Sequence, residues 1–117
     1  MRNQEEWIVH ICPQETWQAA RAKGEYRAPS LENEGFIHCS KPGQVLDVAN
    51  RFYRSEPDLV LLWIHPELVE AEVRWEAVEN GEVFPHIYGG LNTSAASEVT
   101  DFVPDKNGIF QKIIDPD

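Results

Sequence analysis

The stretch Leu59–Ile64 reads LVLLWI, six apolar residues in succession. A strand that is covered on both faces has this pattern, whereas a strand with one face in water alternates apolar and polar residues. Pro57 ends the segment before it, and His65-Pro66-Glu67 turns the chain after it. We therefore expect LVLLWI to be the central buried strand of the fold.

Two amphipathic helices are predicted on the N-terminal side of this strand. The first begins at Pro13 and stops at Gly24, because proline suits the first position of a helix and glycine suits its C-terminal end. The second opens at Pro42 and runs to about Ser55. Its apolar residues recur at helical spacing and predict a buried face, Val45, Val48, Ala49 and Phe52.

The other predicted strands are segments rich in β-branched and aromatic residues or alternating in polarity. They are Trp7–Cys12, Phe36–Cys39, Val69–Val78, Phe84–Tyr88, Glu98–Val103 and Ile109–Ile114. The segment EYRAPSLENEG, residues 25–35, is predicted to be a loop. With 117 residues the chain is expected to form one domain over residues 1–117. The prediction is an α+β fold, with a mixed, mostly antiparallel sheet of five to seven strands and two main helices in the N-terminal half.

The charge of the chain limits its partners. Its 20 acidic and 10 basic residues give a formal net charge of −10. Binding to nucleic acid and to anionic membranes depends on positively charged Lys and Arg, so we expect neither of them as a partner. A small ligand remains compatible, since a pocket needs only one or two local cations.

Cysteine usage and the N-terminus indicate the compartment. Cys12 and Cys39 are read as two thiols of a reducing compartment, because nothing else in the sequence looks secreted. The opening MRNQEEWIVH has no apolar run of signal-peptide length. A soluble cytoplasmic protein is expected.

The stretch EGFIHCS, residues 34–40, raises the question of chemistry. In an extended strand Phe36, His38 and Ser40 share one face, and Ile37 and Cys39 share the other. Neighbours on a strand point apart, so His38 and Cys39 are not a nucleophile and its base. Cys39 is predicted to be a small buried hydrophobe. Ser40 either caps the helix that follows or contributes to a site.

Three of the four histidines fall in apolar extended segments, namely His10, His38 and His86. Each is either a neutral, hydrogen-bonded core histidine or part of a site. With Cys12 or Cys39 they match the ligand types of zinc, but no two stand at a ligand spacing such as CxxC, so no metal site is predicted. The sequence also lacks GxSxG, the Walker loop and GxGxxG.

The row Glu72, Arg74 and Glu76 alternates along a predicted strand. One interpretation is a solvated strand face. In the other, Arg74 pairs with a phosphate and Glu76 stabilises developing positive charge.

The order of IVHIC, Tyr26, SLENEGFIHCS, NRFY, LVLLWI, VRWE and FPHIYG resembles the bacterial domain-of-unknown-function 952 family over nearly the whole chain. That family is distantly similar to the ADP-ribosyltransferase-like fold, which binds NAD in a cleft between two small sheets. The resemblance implies that His10 contacts the adenosine side of NAD and that His38 and Ser40 line the nicotinamide pocket. Glu76 would support the oxocarbenium-like transition state, and His86 and Tyr88 belong to the family's own motif.

The working hypothesis is a histidine-lined site for NAD or another nucleotide. Its predicted catalytic residues are His38, Glu76, His86 and Tyr88, and its predicted ligand-binding residues are His10, Tyr26, Ser40 and Arg74. Two alternatives stay open: a module that binds a small metabolite without turnover, and an interaction domain with an acidic surface.

Overall fold

The computed structural model describes residues 7–116. The helices are α1 (Gln14–Lys23), α2 (Pro29–Glu34) and α3 (Val45–Phe52). The strands are β1 (Ile8–Pro13), β2 (Glu25–Tyr26), β3 (Ile37–His38), β4 (Leu59–Ile64), β5 (Glu72–Ala77), β6 (Val83–Tyr88), β7 (Leu91–Asn92) and β8 (Glu98–Phe102). Short 3₁₀ turns cover Pro66–Leu68 and Thr93–Ala95. Within the described residues no helix is long and apolar enough to cross a membrane.

The stretch LVLLWI is the central strand, as predicted. It is β4, and it pairs antiparallel with β1 on one side and β8 on the other. All six of its residues are buried. Val60, Leu62 and Ile64 point into one core, and Leu59, Leu61 and Trp63 point into a second.

The two main helices lie against opposite cores. Trp17 and Ala20 of α1 pack in the first core, and Val45 and Ala49 of α3 pack in the second. A spacing of three or four residues places each pair on one side of its helix. The helices therefore cover the two faces of β1-β4-β8, which is why β4 is apolar on both.

A second sheet, in the order β3-β6-β5, joins the first through one bridge. Val9 and Ser40 exchange backbone hydrogen bonds of 2.8 and 2.9 Å. Paired residues point to the same side of a sheet, so this bridge fixes which face of β3 meets which core. Ile37 and Ile87 face the first core, and the opposite face of β3-β6-β5 is turned away from it.

The α+β class and the two main helices in the N-terminal half are confirmed. The strands number eight among residues 7–116, divided over the sheets β1-β4-β8, β3-β6-β5 and β2-β7, and every pairing is antiparallel. The sheet is divided because β3 meets β1 only at the Val9–Ser40 bridge.

The loop predicted for residues 25–35 is wrong in part, because it contains β2 and α2. Proline at the first position of α2 and Gly35 after its last residue bound this short helix. Gly24 ends α1 in the same left-handed conformation, as predicted.

The second main helix is shorter than predicted. It begins at Val45, with Gln44 rather than Ser40 at the N-cap position, so the capping role considered for Ser40 is excluded. A turn occupies residues 41–44, where the Lys41 N–H donates to the Gln44 side chain. Phe52, predicted for the buried face, is 70% exposed because it lies in the last turn, beyond the edge of the core.

The strand predicted for Ile109–Ile114 is wrong. This segment pairs with no strand of the described chain. The side chain of Asn50 takes the place of a strand partner: Nδ2 donates to the Phe110 carbonyl at 2.9 Å, and Oδ1 accepts from the Phe110 N–H at 2.7 Å. The Phe110 ring stacks on Phe102 at 4.5 Å in the second core.

Replacing Asn50 with Ala should lower the free energy of unfolding by about 1–3 kcal/mol, because it leaves both backbone groups of Phe110 without their partner. Urea denaturation measures the change. Gln18→Ala, on the exposed side of α1, is the matched control and should stay within about 0.5 kcal/mol of wild type. Equal stability of N50A and Q18A would show that the hydrogen bonds to the Phe110 backbone add nothing to the packing of the Phe110 ring.

Candidate functional site

One face of β3-β6-β5 collects most of the predicted site residues. His38 pairs with His86 across β3 and β6, and His86 pairs with Arg74 across β6 and β5. Residues two positions away along a strand share this face, which adds Tyr88 and Glu76. His38, Glu76, His86, Tyr88 and Arg74 thus lie together on the face turned away from the first core.

Glu76 is the centre of this group. The Tyr88 hydroxyl donates to its Oε1 at 2.6 Å, and His86 donates from Nδ1 to the same oxygen at 2.7 Å. No residue of the described chain donates to Oε2. The hydrogen bonds from Tyr88 and His86 hold the pKa of Glu76 below its usual value, so the group is a carboxylate at neutral pH. The same contact with Glu76 raises the pKa of Tyr88.

The other aromatic rings of the cluster pack against the ring of Phe36. That ring stacks on His86 at 4.1 Å between centroids and lies 5.2 Å from the ring of Tyr88 and 4.8 Å from that of His38. This packing leaves His86 only 7% exposed although it lies on an open sheet face. Phe36 was absent from the predicted site, yet alternation had already placed it on the same face as His38.

His38 is the exposed member of the cluster. Its side chain is 53% exposed, and its Nε2 lies 3.0 Å from Oε2 of Glu34. Glu34 ends α2, which the sequence reading missed, so this partner was missed with it. The rings of His38 and His86 are 5.4 Å apart. Each of the two histidines is therefore oriented by its own glutamate.

Arg74 is held by two neighbours. Its Nε and its NH2 group lie 3.0 Å from the two carboxylate oxygens of Glu72, and its guanidinium carbon lies 4.1 Å from the centroid of the Tyr88 ring. Such a bidentate pair keeps the guanidinium in one orientation. Arg74 lies over the ring of Tyr88, and its charge is balanced by Glu72, which the predicted site also lacked.

His10 and Tyr26 lie elsewhere, inside the first core. His10 Nδ1 donates to the carbonyl of His38 at 2.5 Å, so its Nε2 accepts from the Tyr26 hydroxyl at 2.8 Å. Burial lowers the pKa of His10 to about 4 and raises the pKa of Tyr26. His10 is a neutral core histidine, in contact with the site only through the main chain of His38.

Ser40 and the two cysteines complete the predicted set. Ser40 is buried and holds Val9 through its main chain. Cys39 and Cys12 are free, buried thiols. Burial raises the pKa of both, that of Cys12 to about 11, so neither is a ready nucleophile. The prediction that Cys39 is a small buried hydrophobe is confirmed.

The residues around Glu76 lie on the face of β3-β6-β5 that is turned away from the first core. A cleft of about 490 Å³ lies between α1 and β2, where Tyr26 forms part of its wall. None of the residues around Glu76 lines it.

The profile of one family, described as "Protein of unknown function (DUF952)", matches residues 11–99. The chain belongs to this family. The matched segment contains α2, the strands β3, β6 and β5, and thus every residue of the cluster. No protein with a curated description matches the chain.

Solved structures of family member CC0527 from Caulobacter crescentus have the same fold. Its crystal structure is 32% identical to this chain, with a TM-score of 0.83 over 90% of this chain and 93% of that one. Its solution NMR structure gives a TM-score of 0.79 over 91% and 92%. These comparisons name no activity, and the similarity to the ADP-ribosyltransferase-like fold stays a prediction.

The buried His10 makes stability depend on pH. The pKa of His10 is about 4 in the folded chain and about 6.5 in the unfolded chain. Between these pH values the unfolded chain binds a proton at His10 and the folded chain does not. The contribution of the neutral His10 to the free energy of unfolding is complete above pH 6.5. It is lost as the pH falls to 4, which lowers the free energy of unfolding by about 3 kcal/mol. The loss should be smaller in His10→Asn, as measured by urea denaturation between pH 7 and 4.

Tyr26→Phe is the matched control for this experiment. It removes the hydroxyl that His10 accepts from but keeps the titrating imidazole, so its stability should be lower at every pH and still fall on acidification. If His10→Asn loses as much stability as wild type between pH 6.5 and 4, a group other than His10 is responsible.

Proposed function

We propose that the chain binds an NAD-type dinucleotide on the open face of β3-β6-β5 and acts as an ADP-ribosyltransferase-like enzyme, with Glu76 stabilising the charge that develops on the ribose. One observation carries the proposal: the Glu76 carboxylate is oriented by two donors on Oε1, and its Oε2 stays available beside a group of aromatic rings. Fixed charge of this kind, aimed at a developing charge of opposite sign, is a common source of catalysis.

The composition of the face favours a positively charged planar ring. Phe36 offers a half-buried ring surface and the exposed imidazole of His38 offers a second, whereas the Tyr88 ring already has the Arg74 guanidinium over it. Rings of this kind attract cations placed over their faces. The carboxylates of Glu34 and Glu76 add negative charge at the same place. The pyridinium ring of NAD is planar, aromatic and cationic, and so matches both properties.

The reaction that follows balances without a further reagent. The bond between the ribose C1′ and the pyridinium nitrogen breaks, and its electron pair leaves with the ring as neutral nicotinamide. Positive charge then lies on C1′ and the ribose ring oxygen, where the Glu76 carboxylate stabilises it. In the same step, as the ring departs, an acceptor adds at C1′ and loses its proton.

The other predicted residues support this centre from outside. His10 donates to the carbonyl of His38 and so fixes the strand that carries it. The Tyr26 hydroxyl, inside the core, donates to the other ring nitrogen of His10 and so helps to orient the imidazole. Arg74 orients Tyr88 through the contact with its ring, and Tyr88 in turn holds Glu76.

Glu76→Gln should still bind NAD, more weakly because one attracting charge is lost, and should release nicotinamide about 10²–10³-fold more slowly, because the amide keeps the shape of the side chain and loses the charge that stabilises the ribose. Binding is measured by thermal shift, where ligand at 100 times its dissociation constant stabilises by about 2.7 kcal/mol. Release is measured by chromatography. Glu79→Gln, on the exposed turn after β5, is the matched control and should behave as wild type.

The result also separates the alternatives. Binding of NAD by wild type without release of nicotinamide favours a binding module over an enzyme. Absence of both binding and release removes the proposal and favours an interaction domain that uses its acidic surface.

A further inference from the structure

We infer that His38 is the general base of this site, oriented by Glu34, and that the group accepting the ribosyl unit is therefore a neutral hydroxyl, such as water or an alcohol. This inference rests on the proposed function and names the acceptor that the proposed transfer leaves open. It comes from the division of the cluster into two histidine–glutamate pairs of unequal exposure.

The first pair is unsuited to take a proton. Glu76 receives hydrogen bonds from Tyr88 and His86 on one oxygen, and a carboxylate so stabilised is a weak base. His86 uses Nδ1 for that bond and lies under the ring of Phe36. This pair is built to hold a fixed negative charge.

The second pair has the geometry of a base. His38 is half exposed, and Glu34 accepts the proton on its Nε2. That bond places the lone pair on Nδ1, which no residue in the described part of the chain engages. A carboxylate behind an imidazole fixes its tautomer and stabilises the imidazolium formed when it takes a proton.

The two pairs are close enough to act on one substrate. The rings of His38 and His86 are 5.4 Å apart at directly paired positions of β3 and β6. A ribose C1′ beside Glu76 would therefore have the His38 base within reach of an acceptor oxygen. In the completed step the oxygen bonds to C1′, its proton moves to His38 Nδ1, and its electron pair replaces the one that left with nicotinamide.

The acceptor class follows from the same charges. A hydroxyl must lose a proton as it attacks, and so needs a base. A carboxylate acceptor needs none, and the side chains of Glu34, Glu72 and Glu76 on this face repel it. The face thus favours a hydroxyl acceptor over a carboxylate.

The test uses NAD as substrate, carba-NAD as the non-reacting ligand, and methanol as an added hydroxyl acceptor. His38→Ala should slow nicotinamide release about 10²–10⁴-fold, a larger effect than the loss of carba-NAD affinity caused by removing one ring from the binding surface. Imidazole added to the buffer should restore part of the rate to this variant. With wild type, methanol should compete with water and yield the methyl glycoside of ADP-ribose, whereas acetate should yield no adduct.

Two variants serve as controls. Glu34→Gln should give a smaller rate loss than His38→Ala, because it disturbs the orientation of the base and keeps the base itself. Glu76→Gln should not respond to imidazole, because what it lacks is charge and not a proton acceptor.

Each remaining outcome overturns the inference in a recognisable way. A His38→Ala rate equal to wild type excludes a base at this position. A parallel loss of carba-NAD affinity without imidazole rescue makes His38 a binding residue. If wild type binds carba-NAD but releases no nicotinamide, the base role fails while the binding site stands. If wild type does neither, the proposed function fails and this inference fails with it.

Discussion

The two hydrogen bonds between Val9 and Ser40 determine the sidedness of the molecule. They join β1 to β3, and so join the sheet around β4 to the sheet that carries the candidate site. Since paired residues face the same way, His10 falls with Cys39 on the side of the first core, and His38 falls on the other side. A shift of this pairing by one residue would exchange the two faces and bury His38 in place of Cys39.

The local sequence pattern predicted those elements whose structure does not depend on contacts with distant residues. β4 has only apolar residues because both of its faces are covered, and that property is visible in the sequence itself. Ile109–Ile114 has the composition of a strand, but a strand also requires a free sheet edge beside it. Here the side chain of Asn50 supplies the hydrogen bonds and the ring of Phe102 supplies the packing. Neither is encoded near the segment, so composition alone predicted the wrong structure.

Strand alternation predicted which residues of one strand share a face of the candidate site, and nothing beyond that. Alternation placed Phe36 beside His38, and the row Glu72, Arg74 and Glu76 on one face. It left undetermined whether His10 joins His38 and His86, because that depends on the pairing of β1 with β3. The partnership of Glu34 with His38 was missed for a different reason. It depends on α2, a six-residue helix whose one proline and one serine, with Gly35 after it, are equally typical of a loop.

Charge determines which part of a dinucleotide can lie on this face. Glu34, Glu72 and Glu76 outnumber Arg74, and Arg74 is already paired with Glu72. A pyridinium ring would be stabilised by this negative charge and a pyrophosphate would be repelled, so the two ends of the proposed dinucleotide would lie at different places along the sheet. Lys41, which is exposed, is the first cationic residue after β3 along the chain. The excess of negative charge that disfavours a polyanionic partner for the whole chain, with its net charge of −10, would thus orient the proposed ligand, which carries both signs of charge.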